Sequence, residues 1–183
     1  MKVCIVRNAE SRTNASMIRV LDALLEDKHE CILLTRSRYK EDKGINRRIH
    51  NHDGIDIDNY EVNIKAEAGK GLTNIFQLIH YQIKIFMWFL KNKDKYEVIH
   101  SFDLDSGLPV MIASKILKRR YVYHIADFYI DSRGVPQKLK SFFRNIEYKI
   151  IKNAETIIIC TEERKEQIKG SKPKKIAVVH NTP

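Results

Sequence analysis

Residues 97–129 read Glu-Val-Ile-His-Ser-Phe-Asp-Leu-Asp-Ser-Gly-Leu-Pro-Val-Met-Ile-Ala-Ser-Lys-Ile-Leu-Lys-Arg-Arg-Tyr-Val-Tyr-His-Ile-Ala-Asp-Phe-Tyr. The pattern is a short apolar strand, a polar turn, a helix, a second strand and a second polar turn, so His100, Asp103 and Asp127 fall where strands stop. In an open parallel α/β sheet, ligands bind just beyond the carboxyl ends of the strands, where loops and helix N-termini converge. This stretch is therefore the expected wall of an active site.

The flanking chain repeats the alternation. Lys2 to Val6 is an apolar run of the kind a strand buried on both faces requires, and Arg7 to Thr13 is the turn after it. A helix is expected over 14–28, with Ile18, Leu21, Leu24 and Leu25 on one face and Thr13 or Asn14 as the cap, before a buried strand at Cys31 to Thr35. Arg36 to Asp53 is rich in Arg and Lys and poor in apolar residues, which reads as an exposed loop: either a phosphate- or membrane-facing patch or a solvated connection. Ile55, Ile57 and Tyr60 to Ile64 fit one or two short strands.

A strongly apolar helix follows at 72–92, its main stripe being Ile75, Leu78, Ile79, Ile83, Phe86, Phe89 and Leu90. Gln77, His80, Gln82 and Lys84 interrupt it, so it falls short of the roughly 20 apolar residues that span a bilayer. Phe76, Met87 and Trp88 lie off the stripe and offer a surface for membrane or another domain. Further on, a basic helix over 138–152 carries Leu139, Phe142, Phe143, Ile146 and Ile150 on its apolar face, and strands are expected at Thr156 to Cys160 and Lys175 to His180. The fold class is α/β: a Rossmann-like three-layer α/β/α arrangement with a mostly parallel sheet. Residues 1–183 are expected to form a single domain. Because a parallel strand needs cover on both faces, more chain is expected after Pro183.

Composition sets the class of partner. Hydrophobic residues at 43% and charged residues at 31% exclude wholesale disorder and a polytopic membrane protein. The 33 Lys and Arg against 23 Asp and Glu give a net charge of +10, which favours an anionic partner without choosing among nucleic acid, phospholipid and phosphorylated substrate. Cys4, Cys31 and Cys160 lack any ligand spacing and sit in apolar runs, as core residues in a reducing, cytoplasmic compartment.

Strand ends bring Arg7 and Asn8, His100 to Asp103, Asp127, and Thr161 with Glu162 to one edge. Asp103 or Asp105 also suits the cap of the next helix, Glu162 suits a helix N-terminal turn, and His124 reads as a hydrogen-bonded core histidine. The first turn contains no glycine, so neither the dinucleotide fingerprint nor the P-loop is present, and there is no zinc spacing and no Gly-x-Ser-x-Gly elbow.

The ordered set of segments resembles one family. Val98 to Asp105 with Leu108-Pro109, Val122 to Asp127, Ala154 to Glu162 and Lys174 to Asn181 are together similar to the successive strand-end motifs of family 4 glycosyltransferases. The resemblance implies one half of a GT-B fold: an N-terminal, acceptor-holding domain whose nucleotide-sugar domain lies outside residues 1–183. It implies a retaining transferase in cell-surface polysaccharide or glycolipid assembly, with the nucleotide-sugar as substrate, no cofactor and no metal. Asp103 and Asp127 match the pattern and are the expected acceptor contacts, with His100, Phe102 and Phe128 beside them. Arg7, Asn8, Arg12, Glu162 and Asn181 are the expected donor-phosphate or cleft residues.

Three departures stand out. The family's glycine-rich first loop is replaced by Arg7 to Thr13, and two positions where it places histidine carry Phe102 and Ala126. The expected partners are therefore a nucleotide-sugar, a carbohydrate or lipid-linked acceptor, an anionic membrane surface at the inner face, and no nucleic acid. A fragment limited to these residues is expected to be inactive alone. The competing reading is a non-catalytic binding or partner-subunit module related to glycosyltransferases, which Phe102 and Ala126 favour.

Overall fold

A computed structural model of the protein describes residues 1–11, 14–37, 44–65, 75–128 and 136–180. Its strands are β1 (Lys2–Val6), β2 (Glu30–Ser37), β3 (Gly44–His52), β4 (Ile55–Asn63), β5 (Val98–Phe102), β6 (Arg120–Ile125), β7 (Thr156–Ile159) and β8 (Ile176–Val178). Its helices are α1 (Ala15–Glu26), α2 (Ile75–Lys91), α3 (Asp103–Leu117), α4 (Gln137–Asn153) and the short α5 (Arg164–Gln167), with a 3-10 turn at Lys93–Lys95. They form one sheet in the order β3-β4-β2-β1-β5-β6-β7-β8, parallel throughout except where β3 runs antiparallel on β4. The mostly parallel α/β class expected from the sequence is what the chain adopts.

Central strands are apolar on both faces because both are covered. In β1, Val3 and Ile5 point toward α1 with Met17 and Leu21, while Cys4 and Val6 point into the larger core under α2, α3 and α4. The three cysteines are free, and burial holds the Cys4 thiol far above its ordinary range. Asn14 caps α1, its side-chain oxygen accepting the Met17 amide at 3.1 Å.

Two expectations about this scaffold are corrected. Residues 44–52 are the edge strand β3, not part of an exposed loop, and Arg36 is buried inside β2. An edge strand needs few apolar residues, and β3 meets β4 through Arg47 to Asp58 at 2.8 Å and Arg48 to Glu61 at 3.0 Å. The overlooked signal was Asp53-Gly54, which turns the hairpin with both residues at positive φ, 48° and 85°. The second correction concerns helix faces. The buried side of α2 is Tyr81, Ile85, Trp88 and Phe89, leaving Ile79 and Ile83 exposed, and α4 buries Phe143, Glu147, Ile150 and Ile151 while Leu139 and Phe142 are exposed. A helix apolar nearly all round has no unique stripe to read, and in α4 the buried Glu147 is masked as a polar residue although it accepts the Tyr123 hydroxyl at 3.0 Å.

α3 contains both a proline and a glycine, each with a partner that explains it. Pro109 has no N–H, so the carbonyl of Asp105, four residues earlier, loses its helical donor. Gln82 of α2 supplies one instead, Nε2 donating to that carbonyl at 3.2 Å. At Gly107 a Cβ would meet Tyr123 Cε2 at 2.6 Å and Ile150 Cγ2 at 3.2 Å.

Gly107→Ala is accordingly expected to lower stability by about 1–3 kcal/mol despite the better helix propensity of alanine, because the Tyr123 ring is held by Glu147 and cannot swing away. Urea unfolding of the two proteins measures this; a variant as stable as the parent would show that the ring yields.

Candidate active site

From β1 the chain builds one half of the sheet through β2, β4 and β3, then returns through α2 to β5 on the other side of β1. β1 and β5 are thus the point where strand order reverses, and the crevice beyond their carboxyl ends is where such sheets bind ligands. Residues 7–11, the start of α3 and the turn after β6 converge there.

The convergence is held by charge-assisted bonds. The Asp103 carboxylate accepts the backbone amides of Ala126 at 2.9 Å and Asp127 at 3.0 Å through Oδ1, and its Oδ2 lies 3.6 Å from Arg7 Nη2. The Arg7 guanidinium stacks over Phe102, 4.5 Å from the ring centroid. Asp103 has a positive φ of 52°, a left-handed conformation that aspartate tolerates better than most residues. Burial pushes its carboxyl up to about 6, opposed by Arg7 and the two amides. Desolvation likewise lowers Arg7 from its ordinary value, with Asp103 and Asp127 acting against it.

The glycine-free first loop is fixed by side chains. Asn8 donates to Asp105 Oδ2 at 2.8 Å and accepts from Arg36 Nη1 at 3.1 Å, and the Ala9 carbonyl accepts the Arg36 amide at 3.0 Å. Asn59, which accepts the Thr35 hydroxyl at 2.8 Å, donates to the Ser11 hydroxyl at 3.3 Å. This lattice does the shaping that glycine conformational freedom performs in other first loops.

Beside it lies an aromatic group. His100 Nε2 and His124 Nδ1 are 3.4 Å apart, and His124 stacks on Phe102 with centroids 4.5 Å apart. Burial is the main cause that pushes His100 down to about 3, helped by His124 and Arg7, and His124 down to about 4, helped by Arg7 and Arg19. Both imidazoles are neutral at physiological pH.

The expected site residues separate by exposure. Asp127 is exposed at the cleft, whereas Asp103 and Arg7 are largely covered and His100, Phe102 and Phe128 are buried. The residue before α3 is Phe102, which makes no side-chain capping bond, and the Asp103 carboxylate is committed to the β6 turn. Glu162 sits exposed after β7 and pairs with Lys165. Arg12 and Asn181 lie outside the described residues. Sequence reading missed Arg36 and Asp105 as parts of the cleft floor; the pairing of a basic residue at the end of β2 with a second acid two residues after Asp103 was the available signal. Among the described residues no group of three or more His, Cys, Asp or Glu is placed to hold a metal ion.

Comparison with known proteins bears on this geometry. The model of the glycosyl transferase 4-like domain matches residues 14–182. The sucrose-phosphate synthase of Thermosynechococcus elongatus superposes with a TM-score of 0.67 at 12% identity, covering 98% of this chain and 47% of that one. A lipopolysaccharide outer core galactosyltransferase gives 0.59 at 15%, covering 100% and 46%. The UDP-GlcNAc 2-epimerase of Methanocaldococcus jannaschii gives 0.59 at 16%, covering 97% and 45%. The chain thus spans about half the length of these three proteins, and at such identities the likeness is one of fold. No curated protein matches the chain.

The buried histidines set a pH dependence. Unfolded, each takes up a proton near pH 6.5; folded, each stays neutral, so their contribution is complete above that pH and is lost as pH falls toward 4. Asp103 runs the other way, its contribution being present below about pH 4 and lost as pH rises through 6. Two imidazoles outweigh one carboxyl, so going from about pH 7 to about pH 5 is expected to remove on the order of 2–3 kcal/mol of stability. Urea midpoints at the two pH values measure the drop, and the double variant His100→Asn, His124→Phe should lose most of it.

Proposed function

Because the chain belongs to the glycosyl transferase 4-like domain family, we propose that it is the acceptor-binding half of a retaining glycosyltransferase that moves a sugar from a nucleotide-sugar to a cell-surface polysaccharide or glycolipid acceptor. The fold alone does not choose this chemistry, since a 2-epimerase shares it. The observation that carries the reading is the tie at the switch point: Asp103 holds the Ala126–Asp127 turn at the carboxyl edge of the sheet, where Asp127 is exposed.

In this reading Asp127 accepts a hydrogen bond from an acceptor hydroxyl and orients it, and Asp103 is a positioning residue acting through the turn. As the acceptor oxygen bonds to the anomeric carbon, the bond from that carbon to the donor phosphate breaks, and the hydroxyl proton passes to the departing phosphate oxygen. The nucleoside diphosphate leaves with the electron pair. Arg7, whose buried Nη1 has no hydrogen-bond partner among the described residues, places positive charge where glycine amides would otherwise serve the donor phosphate. No cofactor and no metal take part; the nucleotide-sugar is bound by a second domain, and Glu162, exposed after β7, lines the cleft it closes. The basic helix α4 and the absence among the described residues of any helix long and apolar enough to cross a membrane fit a peripheral position at the inner membrane face. Phe102 and Ala126 support a second reading, a non-catalytic partner subunit, because both are committed to packing and backbone contacts instead of chemistry.

In the polypeptide encoded by the complete gene, Asp127→Ala is expected to lower kcat/KM for the acceptor roughly ten- to hundredfold, the range for losing one hydrogen bond to a charged group, with donor affinity unchanged. Residues 1–183 alone should give no turnover. Transfer by that fragment would overturn the division of labour, and a complete protein that binds acceptor carbohydrate but never transfers would establish the partner-subunit reading.

A further inference from the structure

α2 is apolar on two opposite sides. Tyr81, Ile85, Trp88 and Phe89 face the sheet, while Phe76, Ile79, Ile83 and Met87 recur at intervals of three and four residues on the outer side and are exposed, Phe76 by 78%. A helix apolar all round is normally buried. The outer stripe continues onto α3 through the exposed Ile112 and Ile116, and between the helices an apolar groove of about 200 Å³ is lined by Ile79, Ile83, Phe86, Leu108, Pro109 and Ile112. Eight of the twelve large apolar side chains exposed among the described residues lie on α2, α3 and α4.

Charge identifies what covers this layer. α2 contains no carboxylate; α3 has only Asp103 and Asp105, both engaged at the cleft end, and α4 has only Glu147, which is fully buried. The outer surface therefore presents Lys91, Lys115, Lys138, Arg144 and Lys149 among apolar side chains with no opposing acid from its own helices. Apolar residues mixed with basic ones and no exposed acid match an anionic lipid surface, where the former enter the headgroup–acyl boundary and the latter meet phosphate. A second copy of this +10 chain would instead bring two positively charged faces together.

We propose that the outer face of α2 and α3, with α4 beside it, docks on an anionic bilayer. The orientation follows from topology. α2 and α3 both run back against the parallel strands, so both begin at the carboxyl edge of the sheet, and Gln82 in the groove holds the carbonyl of Asp105, whose carboxylate binds Asn8 in the cleft. Docking on this face sets the mouth of the cleft at the lipid surface, within reach of a lipid-linked acceptor. The inference deepens the peripheral-membrane part of the reading above and stands apart from its chemistry, because it is tested without donor or acceptor.

Purified protein is co-sedimented with phosphatidylcholine vesicles and with phosphatidylcholine–phosphatidylglycerol vesicles at low and high salt. Binding is expected only to the anionic vesicles and should weaken with salt. Phe76→Ser and Ile83→Ser, both at exposed positions and checked for folding by circular dichroism, should each weaken it by about tenfold, the factor equivalent to one large apolar side chain left unburied. Lys138→Glu with Arg144→Glu should remove the salt-sensitive part. No binding to anionic vesicles, equal binding to neutral ones, or binding indifferent to Phe76→Ser and Ile83→Ser would each overturn the proposal. So would a dimer in solution that Phe76→Ser dissociates, since a second copy would then be the occupant. Vesicle binding by a complete protein that never transfers sugar would leave this inference standing and remove the transferase reading.

Discussion

A carboxylate that accepts two backbone amides of one turn, with a guanidinium stacked on the preceding residue's ring, ties three strand ends together: β5 through Asp103, β6 through Ala126 and Asp127, and β1 through Arg7. The two amide bonds, at 2.9 and 3.0 Å, are charge-assisted, and the carboxylate that accepts them is largely removed from water, which strengthens them. Burial opposes the charge enough to raise the carboxyl to about 6, and the backbone of Asp103 is in the left-handed region. Both features are unfavourable in isolation and persist because the surroundings over-determine them. The whole carboxyl edge of the sheet inherits its shape from that tie.

The first loop shows a second way of building the same kind of edge. Where glycine would let the backbone approach a phosphate closely, this chain uses a side-chain lattice in which Arg36 reaches from β2 to Asn8, Asn8 reaches to Asp105, and Asn59 reaches from β4 to Ser11. A lattice of this kind is stiffer than a glycine loop and brings Arg7 and Arg36 into the cleft floor, where Asp103 and Asp105 balance their charge.

How much of this was legible depended on how long each signal was. The βαβ alternation and the placement of Asp103 and Asp127 at strand ends follow from apolar runs bounded by polar turns, and the structure places them as read. The hairpin at 44–63 was hidden because an edge strand carries charge where an interior strand carries apolar residues, so only its Asp53-Gly54 turn betrayed it. The faces of α2 and α4 were misjudged for opposite reasons: α2 has apolar residues on two sides, and α4 buries a glutamate in its apolar face. The bond from Gln82 to Asp105, and the use of Asp103 to hold the β6 turn instead of capping its own helix, are contacts between residues more than 20 apart that no local pattern encodes.

The hairpin of β3 and β4 also orders events in time. Among the described residues it is the one pairing of consecutive strands with no helix between them; β1 must wait for β2 across a helix and for β5 some 95 residues later. Local pairings close fast and distant ones slowly, because loop entropy must be overcome before the contact is rewarded. During synthesis the hairpin is therefore complete while β1, although made first, still has one open edge. The centre of the finished sheet is the last part of its first hundred residues to be sealed, and the charged hairpin guards the outer side of β2 and β4 until then.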